Sequence, residues 1–116
     1  TIAFNVVDIA SLKGKIMYRY SRAVTIKNGA SMQPAMQIGA DITAHMNRVY
    51  GLKMTMGTQL FSKLKIHWVF DTDSLDGMML LSSKLAQDAS YWEMMGKLKP
   101  LVLEGSVKEK VIAFAG

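Results

Sequence analysis

Two histidines, two tyrosines and one aspartate are the residues of this sequence best suited to acid–base chemistry. His67 is the second residue of the stretch IHWVF, and His45 follows Asp41 by four residues. Because an imidazole titrates near neutral pH, both histidines are candidate general acids or bases. Asp41 and His45 would share one face of a helix, where the carboxylate can orient the imidazole. Tyr18 and Tyr20 complete the predicted catalytic set as hydrogen-bond donors.

A second group of residues is suited to holding a flat, mostly apolar substrate. The chain has ten methionines, whose flexible thioethers fit either an irregular core or the wall of a pocket. Two arginines in the first strand region are able to hold a carboxylate or an oxyanion. The predicted substrate-binding residues are Trp68, Phe70, Trp92, Met36, Met46, Met54, Met56, Arg19 and Arg22. For both groups a purely structural role, in the core or on the surface, is the alternative.

Composition excludes several classes of chemistry. The chain has no cysteine, so thiolate metal sites, disulfides and cysteine nucleophiles are excluded, and two histidines give little support to any metal site. The motifs GxSxG, GxGxxG and HExxH and the P-loop are absent from the sequence. We therefore predict neither a metal nor a cofactor.

Charge and hydropathy bear on the partners. The net charge is +5, but the fourteen Lys and Arg residues are scattered and form no basic stripe, so we predict no nucleic-acid partner. No run reaches the roughly 18 apolar residues of a membrane span, and we predict no membrane partner. The first residues, TIAFNVVD, lack the features of a secretory signal. We expect a cytoplasmic protein.

Alternation and helical spacing predict the elements of the first half. Apolar residues alternate with polar ones in KIMYRYSRAVTIK, which predicts a strand. Asn28 or Ser31 would cap a helix that begins close to Pro34 and ends at Gly51. The predicted buried face of this helix comprises Met32, Ala35, Met36, Gly39, Ile42, Met46 and Val49.

The second half contains three further strands and a second helix. LKMTMGTQL and IHWVFD predict the second and third strands, and LVLEGSVKEKVIAFA predicts the fourth. Between the third and fourth strands, Thr72 or Asp73 would cap a second helix that ends at KLKP. Its predicted buried face comprises Leu75, Met78, Met79, Ser82, Leu85, Ala86, Ala89 and Trp92.

The order strand, helix, strand, strand, helix, strand predicts an α+β protein of the ferredoxin-like βαββαβ type. Its four-stranded antiparallel sheet would carry both helices on one face. We assign residues 15–116 to this single domain and residues 1–14 to an extra strand or arm. The uncovered face of the sheet is mixed in polarity, which predicts a homodimer packed sheet against sheet.

Several stretches resemble proteins of the dimeric α+β barrel superfamily. They are TIKNGASMQPAM, MGTQL and IHWVFDTDSLDGM, and DASYWEMMGKLKPLVLEGSVKEKV is most similar to NIPSNAP-type members. The resemblance implies a homodimeric barrel. It also implies an activity among those of the superfamily, which include cofactor-free antibiotic biosynthesis monooxygenases, cyclases, lactone isomerases and stress proteins. The monooxygenases pair an Asn with a Trp; Asn47 and Trp68 are present here, but not at the expected spacing.

Two hypotheses of function follow. The first is a small enzyme of secondary or aromatic metabolism that performs a cofactor-independent oxygenation, cyclisation or isomerisation on an aromatic or polyketide-like molecule. The second is a non-catalytic ligand-binding or stress-related homodimer, with haem binding by one histidine as a variant. The methionine content favours an open cavity between sheet and helices, because a wholly methionine-packed core specifies its packing poorly.

Overall fold

The computed structural model describes residues 15–116, which form one antiparallel sheet covered by helices on one face. The strands are β1 (Ile16–Thr25), β2 (Thr55–Gln59), β3 (Lys65–Thr72) and β4 (Lys108–Ala115). The helices are α1 (Gly29–Tyr50), α2 (Leu75–Leu85) and α3 (Ala89–Leu98), followed by a 3-10 turn at Lys99–Leu101. The strand order β2-β3-β1-β4, with every neighbouring pair antiparallel, confirms the predicted ferredoxin-like fold. The extra strand or arm predicted for residues 1–14 lies outside the described residues.

Helix α1 is capped by Asn28, one of the two predicted caps, and ends before Gly51 as predicted. It begins at Gly29, so Pro34 lies inside the helix and not in its first turn. The Asn28 side chain accepts a hydrogen bond from the Ser31 backbone N–H at 2.9 Å, which satisfies a free donor of the first turn. Gly51 adopts the left-handed conformation, with φ at 65°, and closes the helix with a hydrogen bond to the Asn47 carbonyl. The predicted face is buried except at two positions, since Met36 is half-buried and Val49 is exposed.

The second predicted helix is two helices, α2 and α3. The helix is interrupted after Leu85 because Asp88 caps a new helix, α3. The Asp88 side chain accepts a hydrogen bond from the Tyr91 backbone N–H at 3.0 Å. The break shifts the helical phase, so Tyr91 and Leu98 are buried in α3, whereas Trp92 is 53% exposed. The buried face predicted across this region is therefore wrong. No residue of α2 is buried, and Ser74 caps this helix in place of Thr72 or Asp73.

The sheet has two distinct faces, as its alternation predicts. Ile66, Trp68 and Phe70 are buried beneath the helices. His67 and Val69 alternate with them and lie on the uncovered face, which we call the open face. Strand β1 lies between β3 and β4, and its pairing with both fixes which side chains meet under the helices.

Gly39 lets α1 lie close to the sheet, and this contact can be tested. A Cβ at this position would lie 2.9 Å from Met56 Sδ and 3.2 Å from a ring carbon of Trp68, whereas Gly96 in α3 has open space around it. Alanine gains about 1 kcal/mol of helix propensity at either site, but overpacking at Gly39 costs about 1–3 kcal/mol. In urea unfolding we expect Gly39→Ala to be less stable than Gly96→Ala by about 1–3 kcal/mol. Equal stability of the two variants would show that α1 does not approach the sheet this closely.

Candidate functional site

A cavity of about 250 Å³, partly open to solvent, lies between the sheet and the helices. Its walls are mostly apolar. The sheet contributes Val24, Trp68, Phe70 and Val111, and Met54 and Val107 lie just before β2 and β4. The helices contribute Ile42, Met46, Met78, Met79, Leu81, Leu85, Met95 and Leu98. The methionine content predicted a cavity in this place, between the sheet and the helices.

The cavity exists because α2 covers the sheet without filling the space beneath it. Leu81, Leu85 and Met78 reach the cavity but are only half-buried, and Met79 is 71% exposed at its edge. Flexible methionine side chains adapt to an irregular space more easily than branched ones. The methionine-rich helix therefore forms an adaptable wall.

Polar side chains converge at one place on the cavity wall. Tyr20 and Arg22 lie on the cavity face of β1, and the antiparallel pairing places Glu109 of β4 opposite Arg22. The Tyr20 hydroxyl donates a hydrogen bond to Glu109 Oε2, and Arg22 Nη2 donates to the same oxygen at 3.1 Å. Arg22 Nη1 donates to the Tyr91 hydroxyl of α3 at 3.0 Å. We call these four residues the polar cluster.

The polar cluster pairs a protonated phenol with an ionised carboxylate. Burial, together with the hydrogen bond to Glu109, raises the pKa of the Tyr20 phenol above its ordinary value. Burial opposes ionisation of Glu109, but the hydrogen bond from Tyr20 and the charge of Arg22 lower the pKa of this carboxyl overall. At neutral pH the cavity thus presents a hydrogen-bond donor and an anionic acceptor side by side.

His45 is held in a second polar group, outside the cavity. His45 Nε2 lies 2.7 Å from Asp88 Oδ2, and the Tyr50 hydroxyl donates to the same oxygen at 2.5 Å. The predicted pairing of His45 with Asp41 is wrong, because Asp41 is exposed and the carboxylate beside the imidazole belongs to Asp88. This group joins the end of α1 to the start of α3.

Six of the fourteen predicted site residues line the cavity, namely Tyr20, Arg22, Met46, Met54, Trp68 and Phe70. His67 lies on the open face, where Arg19 pairs with Asp71 through two hydrogen bonds of 2.8 and 3.0 Å. The other predicted residues that do not line it are Tyr18, Asp41, His45, Met36, Met56 and the exposed Trp92. The functional roles of all these residues stay predictions. Sequence reasoning missed Glu109 and Tyr91, which only strand register and the helix break reveal.

Asn47 and Trp68 do not present polar atoms to the cavity. The Asn47 amide donates to the Met54 carbonyl at 3.0 Å and accepts from the Met54 N–H at 2.8 Å. The Trp68 indole N–H donates to the Gly39 carbonyl at 3.4 Å. Both side chains therefore support the fold, so they do not form the Asn–Trp pair of the monooxygenases.

Residues 15–116 contain neither a cluster of metal-binding side chains nor a membrane-spanning helix. No group of three or more His, Asp or Glu side chains there could hold a metal ion. Within the same residues no helix has the length and apolar character needed to cross a bilayer.

Solved structures share this fold at low sequence identity. A NIPSNAP family protein from Agrobacterium tumefaciens is 20% identical with a TM-score of 0.68, over 83% of this chain and 90% of that chain. A dimeric ferredoxin-like protein from an uncultured marine organism is 13% identical with a TM-score of 0.63, over 88% and 90%. SnoaB, a cofactor-independent oxygenase from Streptomyces nogalater, is 11% identical with a TM-score of 0.60, over 83% and 90%. No protein-family model and no curated protein matches the sequence.

These similarities confirm the predicted ferredoxin-like fold. The similar structures include NIPSNAP proteins and an oxygenase, so the fold is shared by proteins of more than one kind. Function has to be inferred from the site.

Asp88 should make stability depend on pH in acid. Hydrogen bonds from His45 and Tyr50 lower the pKa of Asp88 to about 2, below the unfolded value of about 3.9. The folded state therefore favours the ionised carboxylate, and this stabilisation is complete above pH ~4 and lost as the pH falls towards about 2. Urea unfolding between pH 2 and 7 should show that Asp88→Asn is less stable than the parent by about 1–3 kcal/mol above pH ~4. As the pH falls towards about 2, the variant should lose less stability than the parent does.

Asp41→Asn is the matched control, because Asp41 is exposed and has no hydrogen-bond partner among the described residues. It should reproduce the parent curve. An Asp88→Asn curve parallel to that of the parent throughout this range would contradict the assignment.

Proposed function

We propose that this protein is a small homodimeric enzyme that binds a flat, mostly apolar substrate in the cavity. We propose that it acts by cofactor-independent oxygenation, cyclisation or isomerisation. The observation that supports this most is the polar cluster in an otherwise apolar cavity, since ligand sites combine apolar walls with a few convergent polar groups.

The three reaction types can begin with the same step, the removal of a proton from a carbon beside a carbonyl group. Glu109 Oε1 has no hydrogen-bond partner among the described residues, so it is free to accept this proton. As the C–H bond breaks, its electron pair moves into the substrate and negative charge develops on the carbonyl oxygen. Tyr20 and Arg22 would stabilise that charge by hydrogen bonding. The resulting carbanion then reacts with dioxygen, closes a ring or regains its proton at another carbon.

Cofactor independence is part of the proposal. SnoaB, which shares the fold, is described as a cofactor-independent oxygenase. An activated carbanion supplies its own electrons to dioxygen, so the chemistry proposed for the polar cluster needs no bound redox group. The aromatic or polyketide-like substrate and the cytoplasmic location are proposed on the grounds given by the sequence.

A non-catalytic ligand-binding homodimer is the second candidate. One observation favours it specifically: the polar atoms of Asn47 and Trp68 are engaged by the backbone and face no substrate. In this case the polar cluster would recognise a ligand without transforming it.

The proposed homodimer would bury the open face of the sheet. Val69 and Ala23 of this face are half-buried in the single chain, and Ile112 and Phe114 of β4 lie on the same face, opposite Arg19 and Met17 of β1. A dimeric ferredoxin-like protein shares the fold, which supports the same arrangement here. Pairing two such faces would remove apolar surface from water.

Proton removal is the first testable prediction of the enzyme proposal. The flat ketone 2-tetralone, incubated in D₂O and followed by NMR, should exchange its α-protons faster with the protein than in buffer. Glu109→Gln and Tyr20→Phe should slow the catalysed exchange by about 100-fold or more, because they remove the base and a donor. His45→Ala and His67→Ala test the two predicted histidines in the same assay.

A matched pair on α2 controls for the place of reaction. Leu81→Phe fills the cavity and should slow exchange, whereas Leu80→Phe alters a neighbouring residue that is 57% exposed and outside the cavity lining, and should not. Exchange no faster than in buffer would favour the non-catalytic candidate. Exchange that persists in Glu109→Gln but stops in a histidine variant would move the base to that histidine.

Assembly is a separate prediction. Light scattering at micromolar concentration should give the mass of two chains. Val69→Glu places a charge on the open face and should shift the protein to monomers, whereas Leu80→Glu on the outer side of α2 should leave the dimer intact. A parent protein that is monomeric under these conditions would refute the homodimer.

A further inference from the structure

The guanidinium of Arg22 is incompletely satisfied. Nη1 donates to Tyr91 and Nη2 donates to Glu109, but Nε is shielded from solvent and has no hydrogen-bond partner in the described part of the chain. A buried donor without a partner is energetically unfavourable, and more so when it belongs to a charged group. The edge formed by Nε and Nη2 matches the two oxygens of a carboxylate, which it binds with two parallel hydrogen bonds.

Glu109 fills this edge only in part. It contacts Arg22 through Oε2 alone, and that oxygen also accepts the hydrogen bond from Tyr20. The Glu109 side chain is 47% exposed and belongs to β4, the edge strand of the sheet. A half-exposed glutamate can turn into water at small desolvation cost, so Glu109 is replaceable.

We propose that the ligand of the cavity is a flat, apolar carboxylic acid whose carboxylate replaces Glu109 on the Nε–Nη2 edge of Arg22. The inference rests on the proposed function in one respect, that a small apolar molecule occupies the cavity. The apolar body would lie between Trp68 and the methionines of α2, and the Tyr20 hydroxyl would donate to the incoming carboxylate.

Charge balance requires that Glu109 leave Arg22 when the ligand carboxylate binds. Arg22 and Glu109 together are neutral, so an anion added beside them would be repelled by Glu109. When Glu109 leaves, one anion still faces one guanidinium, and a one-oxygen contact becomes a two-oxygen contact.

The test compares two probes of one shape, 2-naphthoate and its uncharged analogue 2-naphthamide, by isothermal titration calorimetry at neutral pH. The parent protein should bind the naphthoate at least about tenfold more tightly than the naphthamide. Glu109→Gln should increase naphthoate affinity and leave naphthamide affinity unchanged, because the competing anion is gone. Arg22→Gln should abolish the preference, and Glu104→Gln, at an exposed position of the loop before β4, should behave as the parent.

Each outcome separates this inference from the proposed function. Naphthamide binding as well as naphthoate, or Glu109→Gln weakening naphthoate, would overturn the carboxylic-acid assignment and leave the apolar cavity as a binding site. If neither probe binds, the inference and the proposed function both fail. The two probes on the parent protein decide the question even if a variant does not fold.

Discussion

The antiparallel pairing of β1 with β4 determines what the cavity can do. It places Glu109 opposite Arg22, on the same face of the sheet as Tyr20. Without this register, the half-buried Arg22 would lack its carboxylate partner, and the cavity would have no anionic acceptor. The pairing also explains why charged residues are tolerated under the helices, because each forms hydrogen bonds with the others. The otherwise apolar cavity thereby has one polar site that can orient a ligand.

The break between α2 and α3 provides the space. Asp88 caps α3 and also accepts hydrogen bonds from His45 and Tyr50 of α1, so the start of α3 is tied to the core. Helix α2 precedes this tie and buries none of its residues completely. The chain therefore combines a firmly anchored helix with a loosely packed one over the same sheet. An adaptable wall of this kind suits a protein whose ligand must enter between sheet and helix.

Local periodicity was sufficient to predict helix α1, the βαββαβ order and the approximate positions of the strands. The predicted fourth strand began at Leu101, whereas β4 begins at Lys108 after a 3-10 turn and a loop. Alternation around Tyr20 and Trp68 identified the face that lies under the helices, and capping by Asn28 fixed the start of α1. Periodicity did not predict the break at Asp88, because an aspartate within an apolar pattern is equally compatible with an exposed helical position. Nor did it predict the contact of Glu109 with Arg22, since 87 residues separate them and only the strand register brings them together. The helix break and the contact of Glu109 with Arg22 both depend on tertiary structure, and both shape the site.

The ten methionines allow one direct test of where the ligand binds. With ¹³C-methyl-labelled methionine, NMR spectra recorded during titration with 2-naphthoate report on each side of the sheet separately. A ligand in the cavity should shift Met46, Met54, Met78 and Met95, which line it. It should leave Met17, which pairs with Phe114 on the open face, unchanged. Shifts at Met17 without shifts at Met46, Met54, Met78 and Met95 would place the ligand inside a dimer barrel and contradict the binding site proposed between sheet and helices.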